Sequence, residues 1–318
     1  MKQRTAVFGA GLLAVSLLLP LLVHDDYQLQ VLFRVYLFAA LGLAWNLVGG
    51  YAGQLSLGHA AYFGAGAYGL ALAARAGIPL WAAFLLLVLA AMAFALLIGG
   101  VSFRLSGPYF TLATVAFAEV LHAAAKNLPG VTGGDVGAQV PALFHSHVNR
   151  SFYFCAVGLA AAAFAATLLI SRSRFGYYLM AIREDQDAAL AVGVDVSGFK
   201  LRALLVSAAL TALGGALYGS MFLFIVPDQV LSIDISNEIA IVAMLGGAGT
   251  VAGPLVGAAV LESAAELFKS VFQEAHLLIY GLLLILVVLF APEGIVGGIT
   301  AILRRRKRAE APRRAAGD

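Results

Sequence analysis

Residues 80–102 read LWAAFLLLVLAAMAFALLIGGVS, an unbroken run without a charged side chain. A helix crossing the hydrocarbon core of a bilayer needs roughly 20 mostly apolar residues, so this stretch is long enough on its own. Working outward, no Asp, Glu, Lys or Arg occurs between Arg75 and Arg104, nor between Arg34 and Arg75. Runs of similar length cover Thr5–Val23, Ser151–Ile170, Ala203–Val226 and Ile239–Leu261. Across all 318 residues 62% are apolar and 12% charged, about half the charged share of a soluble domain. The expected fold class is therefore all-α, a polytopic integral membrane protein. A β-barrel would alternate with period 2 over about 10 residues, and these apolar runs are continuous.

Ten helices are expected near 5–23, 31–49, 57–74, 79–101, 108–125, 151–170, 203–225, 236–248, 250–266 and 276–292. With the N-terminus inside, the inner segments hold Lys2, Arg4, Arg104, Arg172, Arg174, Arg183, Lys200, Arg202 and the seven basic residues between Arg304 and Arg314. Only Arg34, Arg75, Lys126, Arg150 and Lys269 fall outside or at the outer edge. Lys and Arg are retained on the cytoplasmic side, so both termini are expected in the cytoplasm. That requires an even number of crossings, about 10 (8–10), the Gly-rich stretches 49–58 and 246–254 being tight turns, broken helices or re-entrant segments. The division is a membrane domain over 1–303, with 171–202 as its large cytoplasmic loop, and a basic cytoplasmic tail over 304–318. A basic cluster just past an apolar helix contacts anionic lipid or fixes topology, so no nucleic acid partner is expected.

The basic start and apolar run of the first 23 residues resemble a secretory signal, but the run is long and no Ala-x-Ala site precedes His24, which reads as a retained span. A single cysteine, Cys155, excludes an intramolecular disulfide and a thiolate metal cluster. Thirty-five glycines suit close helix packing in lipid: Gly249, Gly253 and Gly257 are expected to form one stripe, Gly215 and Gly219 another. Gly64-Ala-Gly66-Ala-Tyr-Gly69 matches G-x-G-x-x-G but lacks the strand and acidic partner of a dinucleotide site. No G-x-x-x-x-G-K-[ST] occurs, so neither nucleotide nor any other cofactor is expected in this chain.

The segment Gly53-Gln-Leu-Ser-Leu-Gly-His-Ala-Ala-Tyr-Phe-Gly-Ala-Gly-Ala-Tyr68 differs, because Gln54, Ser56 and His59 sit inside the longest uncharged stretch. Polar groups at membrane depth face protein or a watery cavity. They line a solute path or hydrogen-bond between helices, and composition leaves both open. Glu119 and Glu238, each near a helix end, read as interfacial acids rather than proton relays. In the inner loop, Arg183-Glu-Asp-Gln-Asp-Ala-Ala-Leu-Ala-Val-Gly193 has acids first, then helix formers, then Gly at the C′ position. It predicts one surface helix of about two to three turns, with Ala188 and Ala189 small enough to fit a groove of another protein.

Asp187-Ala-Ala-x-x-x-Gly193 resembles the E-A-A-x-x-x-G loop by which permeases of bacterial ABC importers dock onto their ATPases, with Asp in place of Glu and without the later I-x-L-P ending. Gly53–Tyr68, Gly107-Pro-Tyr-Phe-Thr-Leu-Ala-Thr114, Thr132-Gly-Gly134, Ala181-Ile-Arg-Glu-Asp185 and Met244-Leu-Gly-Gly-Ala-Gly-Thr-Val-Ala-Gly-Pro254 follow in family order. Together they resemble the branched-chain amino acid ABC transporter permease family, and within it the LivM-type subunit. The resemblance implies a permease domain in the bacterial inner membrane. It also implies a second homologous permease, two ATP-binding subunits carrying the ATP and Mg, and a periplasmic amino-acid-binding protein as partners. Arg183, Glu184, Asp185 and Asp187 would orient the docked ATPase, with Ala188, Ala189 and Gly193 giving close fit. Thr132, Gly133, Gly134 and Asp135 would receive the binding protein. Gln54, Ser56, His59, Tyr109 and Thr111 would line the path.

The implied solute is Leu, Ile or Val; related permeases take urea, short amides or sugars. An ion-coupled secondary transporter is the competing class. It needs intramembrane charge pairs, whose scarcity here argues against it, and a channel or scaffold leaves the 184–193 helix unexplained.

Overall fold

The computed structural model describes residues 25–103, 105, 107–144 and 148–272, with residues 11, 15, 16, 18–20, 23, 281 and 294–298 besides. Most of the expected first and last spans, Arg104 and the 304–318 tail lie outside the described residues.

The bundle is built from α1 (Asp26–Asn46, continued by a π-helical turn, Leu47–Tyr51), α2 (His59–Arg75), α3 (Leu80–Ser102) and α4 (Pro108–Asn127). After the short α5 (Pro129–Thr132) come α6 (Val148–Arg172), α7 (Arg174–Glu184), α8 (Gln186–Ala191) and α9 (Val196–Phe222). The short α10 (Pro227–Val230) leads to α11 (Ile233–Gly246) and α12 (Gly253–Phe272). Two-residue strands β1 (Ala138–Gln139) and β2 (Phe224–Ile225) pair antiparallel, Ala138 opposite Ile225. Among the described residues, Asp26–Tyr51, Leu80–Ser102, Val148–Arg172, Val196–Phe222 and Pro227–Gly246 are long and apolar enough to cross a membrane.

Size rather than hydropathy separates the packed face of these helices from the outer one. Along α3, Ala83, Leu87, Ala91, Ala95 and Ile98 are buried, three or four residues apart. Leu85, Leu86, Leu89, Leu96 and Leu97 are exposed on the other face. In a bilayer an exposed Leu costs nothing, and small residues let backbones approach to gain van der Waals contact. The same logic joins α2 to α9. A Cβ on Gly66 would overlap the carbonyl oxygen of Ala212, and one on Gly215 would overlap that of Phe63. Gly219 meets Ala67 at ordinary contact distance, so Gly215 and Gly219 share one crossing. Gly249 does not join a stripe with Gly253 and Gly257. It lies in the turn before α12 with φ +79, because the chain must reverse between α11 and α12.

α1 is the central helix, burying Leu37, Phe38, Leu41 and Trp45 in the main core. Beside it α11 runs in the same direction and α12 in the opposite one. A Cβ on Gly42 would meet Val242 and Pro254. Arg34, nearer the start of α1, meets Glu238 and Glu262.

A Gly215→Val variant is expected to lose the α2–α9 crossing and yield no monodisperse, detergent-extracted protein. Gly158→Val, where an added Cβ meets nothing within 4 Å, keeps wild-type yield. Equal size-exclusion profiles for the two variants would contradict this packing.

Candidate functional site

Both Gly-rich stretches prove to be breaks between consecutive helices. Residues 52–58 have no regular structure, yet they climb into the bundle: α2 begins at His59 against Ser207, eleven residues into α9. At 1.5 Å per residue that is about 16 Å from the start of α9. Irregular backbone at such depth persists only where protein satisfies its polar groups. Trp45 Nε1 donates to the Ser56 carbonyl at 2.7 Å and Thr111 Oγ1 to that of Leu55 at 2.8 Å. The amide of Leu57 donates to Thr114 Oγ1 at 3.2 Å and that of Gln54 to the Val48 carbonyl at 3.0 Å. The 247–252 turn is tied in likewise: Asn46 Nδ2 donates to the Thr250 carbonyl at 2.8 Å, and Asn46 Oδ1 accepts from the Gly249 amide at 2.7 Å.

The residues expected to line a path separate into two groups. Ser56 and His59 are buried in a chain that links Ser56 Oγ to His59 Nδ1 at 3.2 Å and His59 Nε2 to Ser207 Oγ at 2.9 Å. That is hydrogen bonding between helices. Gln54 and Thr111 instead border a cavity of about 390 Å³ with Gly53 and Gly107. Tyr109, 68% exposed, stands on the first turn of α4.

The single helix expected over 183–193 is two. α7 ends at Glu184, and Asp185 takes an extended conformation to cap α8, its Oδ1 accepting from the amides of Asp187 and Ala188 at 3.0 and 2.9 Å. An Asp at this position gains more as an N-cap than as a helix interior residue. Gly193, with φ +85, ends α8 where a β-carbon would be strained. Ala189 faces inward with Ile182 and Val196, and the buried Lys200 donates through Nζ to Gln186 Oε1 at 2.6 Å. Arg183 turns into the bundle, its Nη1 donating to the Gly50 carbonyl at 2.7 Å beside Gly249. Arg183 and Asp185, although exposed, are thus engaged by contacts within the chain, as is the buried Ala189. Glu184, Asp187, Ala188 and Gly193 stay exposed, next to Leu190 and Val192 at 50% and 80% exposure.

At the other end of the bundle, Thr132 is buried and its Oγ1 donates to the Ala125 carbonyl at 2.5 Å. Gly133 and Gly134 both have positive φ and bend the chain after α5. Asp135 is exposed, 3.8 Å from Lys126. Lys126 and His122 each lie 2.8 Å from Asp228, and His122 is 3.5 Å from Glu119.

One expectation about charge needs correction, because charged side chains, Glu238 among them, do meet across helices. Arg34 Nη2 donates to Glu238 Oε1 at 3.3 Å, and Arg34 Nε lies 3.2 Å from Glu262 Oε2 without hydrogen-bond alignment. Arg34 is eight residues into α1, about 12 Å from its first residue, with its side chain 42% exposed. The cluster is not visible in the sequence because three helices bring its members together from 34, 238 and 262. Its signal was an acid, Glu262, inside a predicted span.

A family model described as "Branched-chain amino acid transport system / permease component" matches residues 27–288. Among curated proteins, the high-affinity branched-chain amino acid transport system permease protein LivM of Salmonella typhimurium is 27% identical, the match covering 93% of this chain and 75% of that protein. BraD of Pseudomonas aeruginosa, a permease protein of the same description, is 34% identical over 42% of this chain and 43% of its own. LivH of Escherichia coli, another such permease protein, is 27% identical over 54% of this chain and 59% of its own.

Asn46→Leu leaves the Thr250 carbonyl and the Gly249 amide without their side-chain partner, at about 1–3 kcal/mol for each buried group left unsatisfied. The expected result is a clear drop in thermal unfolding midpoint in detergent; an unchanged midpoint would show that the Asn46 bridge contributes nothing.

Proposed function

The chain belongs to the branched-chain amino acid transport permease family, and from that we propose that it is the LivM-type membrane subunit of an ATP-driven ABC importer carrying Leu, Ile or Val into the cytoplasm. It would work beside a second, related permease; the matches to both LivM and LivH support such a pairing. Two ATP-binding subunits and a periplasmic amino-acid-binding protein would complete the assembly, with ATP and Mg bound by the ATPases. In this reading the chain is a transporter subunit without chemistry of its own, set in the bacterial inner membrane with both termini in the cytoplasm.

The observation that carries the reading is the construction of α8. The six-residue helix and its C-cap present Leu190 and Val192 outward, after the exposed acids Glu184 and Asp187, which suits insertion into a groove of another protein. It is not free to swing, because Ala189 and Lys200 hold it to α9 and Arg183 joins the end of α7 to the π turn of α1. Closure of the ATPases would thereby reach the bundle through covalent and hydrogen-bonded contacts. Coupling of this kind needs an element whose two positions correspond to two membrane states. The opposite end, around Thr132, Gly133, Gly134 and Asp135, would receive the binding protein. The cavity at Gln54 and Thr111, with Tyr109 beside it, would form part of the path; Ser56 and His59 would hold its wall.

The Arg34–Glu238–Glu262 cluster is the feature an ion-coupled transporter would need, and one assay separates the two classes. Proteoliposomes holding the full complex are expected to take up labelled leucine with enclosed or external ATP at the ATPase face and to ignore an imposed ion gradient. Urea, short amides and sugars serve as competing solutes in the same assay.

Ala188→Trp and Gly193→Glu are expected to abolish leucine uptake in cells while the chain keeps normal abundance in the membrane. Normal ATP-dependent uptake by the Ala188→Trp variant would remove α8 from the ATPase contact.

A further inference from the structure

The cavity between α1, α11 and α12 has a volume of about 540 Å³, within the range of small-ligand sites. Its charged lining is Arg34, Asp234, Glu238, Glu262, Glu266 and Lys269, four acids against two bases. Glu262 is 4% exposed, its Oε1 meets no N–H donor among the described residues, and its carboxyl lies beside that of Glu238. A buried carboxylate oxygen left open is costly. Arg34 cannot relieve it, since one guanidinium already faces two carboxylates. Two adjoining carboxyls therefore share one guanidinium, which leaves them short of a second positive charge with N–H donors. The described residues hold no group of three or more metal-ligating side chains, which favours an ammonium over a metal ion.

The rest of the lining completes the description of a ligand. Arg34, whose side chain is 42% exposed, and Lys269 offer cationic donors to a carboxylate, while Val31, Ile241 and Ala265 supply an apolar wall. Ammonium, carboxylate and aliphatic side chain together define one chemical class. We propose that this cavity is a recognition subsite for the zwitterion of an aliphatic α-amino acid, with Glu262 receiving the α-ammonium group. The subsite rests on the transport reading above for its solute and adds to it a place within this chain where solute is held.

The test uses the complex with its permease and ATPase partners, in nanodiscs and without the binding protein, so that selection by that protein is absent. Labelled leucine is bound at equilibrium and challenged with isopentylamine, which is leucine without its carboxylate, and with isocaproate, which is leucine without its ammonium. Isopentylamine is expected to compete and isocaproate to fail. Glu262→Gln should weaken leucine binding by about tenfold or more, as expected for loss of a hydrogen bond to a charged group, and Glu262→Asp should restore much of it.

If Glu262→Gln does not assemble, the two half-analogues decide the matter on the wild-type complex. No leucine binding at millimolar concentration, isocaproate competing as well as isopentylamine, or unchanged binding by Glu262→Gln each reduces the cluster to a structural ion-pair network. Any of these together with ATP-driven leucine uptake overturns the subsite and leaves the transport reading standing. Glu262-dependent binding of isopentylamine without ATP-driven uptake does the reverse.

Discussion

Every polar group of the irregular backbone at 52–58 needs a partner inside an apolar bundle, and the arrangement of the helices follows from how those partners are supplied. An unsatisfied amide or carbonyl in hydrocarbon costs several kcal/mol. Trp45 from α1 and Thr111 and Thr114 from α4 meet the Ser56, Leu55 and Leu57 backbone. α1 and α4 are thereby fixed against the segment that introduces α2. The His59–Ser207 contact then sets the level of α2 on α9, and Gly66 and Gly215 allow the two backbones to touch.

The 247–252 turn obeys the same rule with different residues. Asn46 serves both a carbonyl and an amide, and Thr250 Oγ1 accepts from the Gly253 amide at the start of α12. Because α11 and α12 are held to α1 here, Glu238 and Glu262 arrive beside Arg34 at the other end. Truncating one partner of a buried ion cluster strands the remaining charge. The cluster is thus kept by its surroundings more than it stabilises them, which is the usual condition of groups retained for binding rather than for stability.

Much of this was legible in the sequence. The runs at 80–102 and 151–170 locate their helices to within a few residues, since the absence of charge over about 20 positions is a strong local signal, whereas α9 begins seven residues before the run at Ala203 and the run 239–261 spans the break between α11 and α12. The resemblance carried by Gly53–Tyr68, Gly107–Thr114 and Met244–Pro254 points to the family that the chain belongs to. Finer features depended on contacts between distant segments. Periodicity over 183–193 suggests one helix, but Asp185 satisfies two amides by leaving the helix, and only the cap geometry reveals the break. Ser56 and His59 look the same from sequence whether they face water or Ser207. The Arg34 cluster needs three helices to be assembled before it exists, although Glu262 within the expected helix 250–266 marked the place.

α1 touches both ends of this system. Its π turn accepts Arg183 at the Gly50 carbonyl, and Arg34 lies sixteen residues earlier on the same helix. π turns within helices concentrate at functional sites because they displace one residue from the regular ladder. The helix from Asp26 to Asn46 is otherwise uninterrupted and closely packed, and packed interiors transmit displacement rather than absorb it. Under the proposed coupling, a shift of α7 and α8 would therefore act on Gly50 first and move Arg34 relative to Glu238 and Glu262 with the helix. Opening the distance between that guanidinium and its two carboxylates changes the charge presented to an ammonium group in the cavity. Nucleotide-driven motion and solute affinity would then be linked through a single rigid helix, with no further relay required.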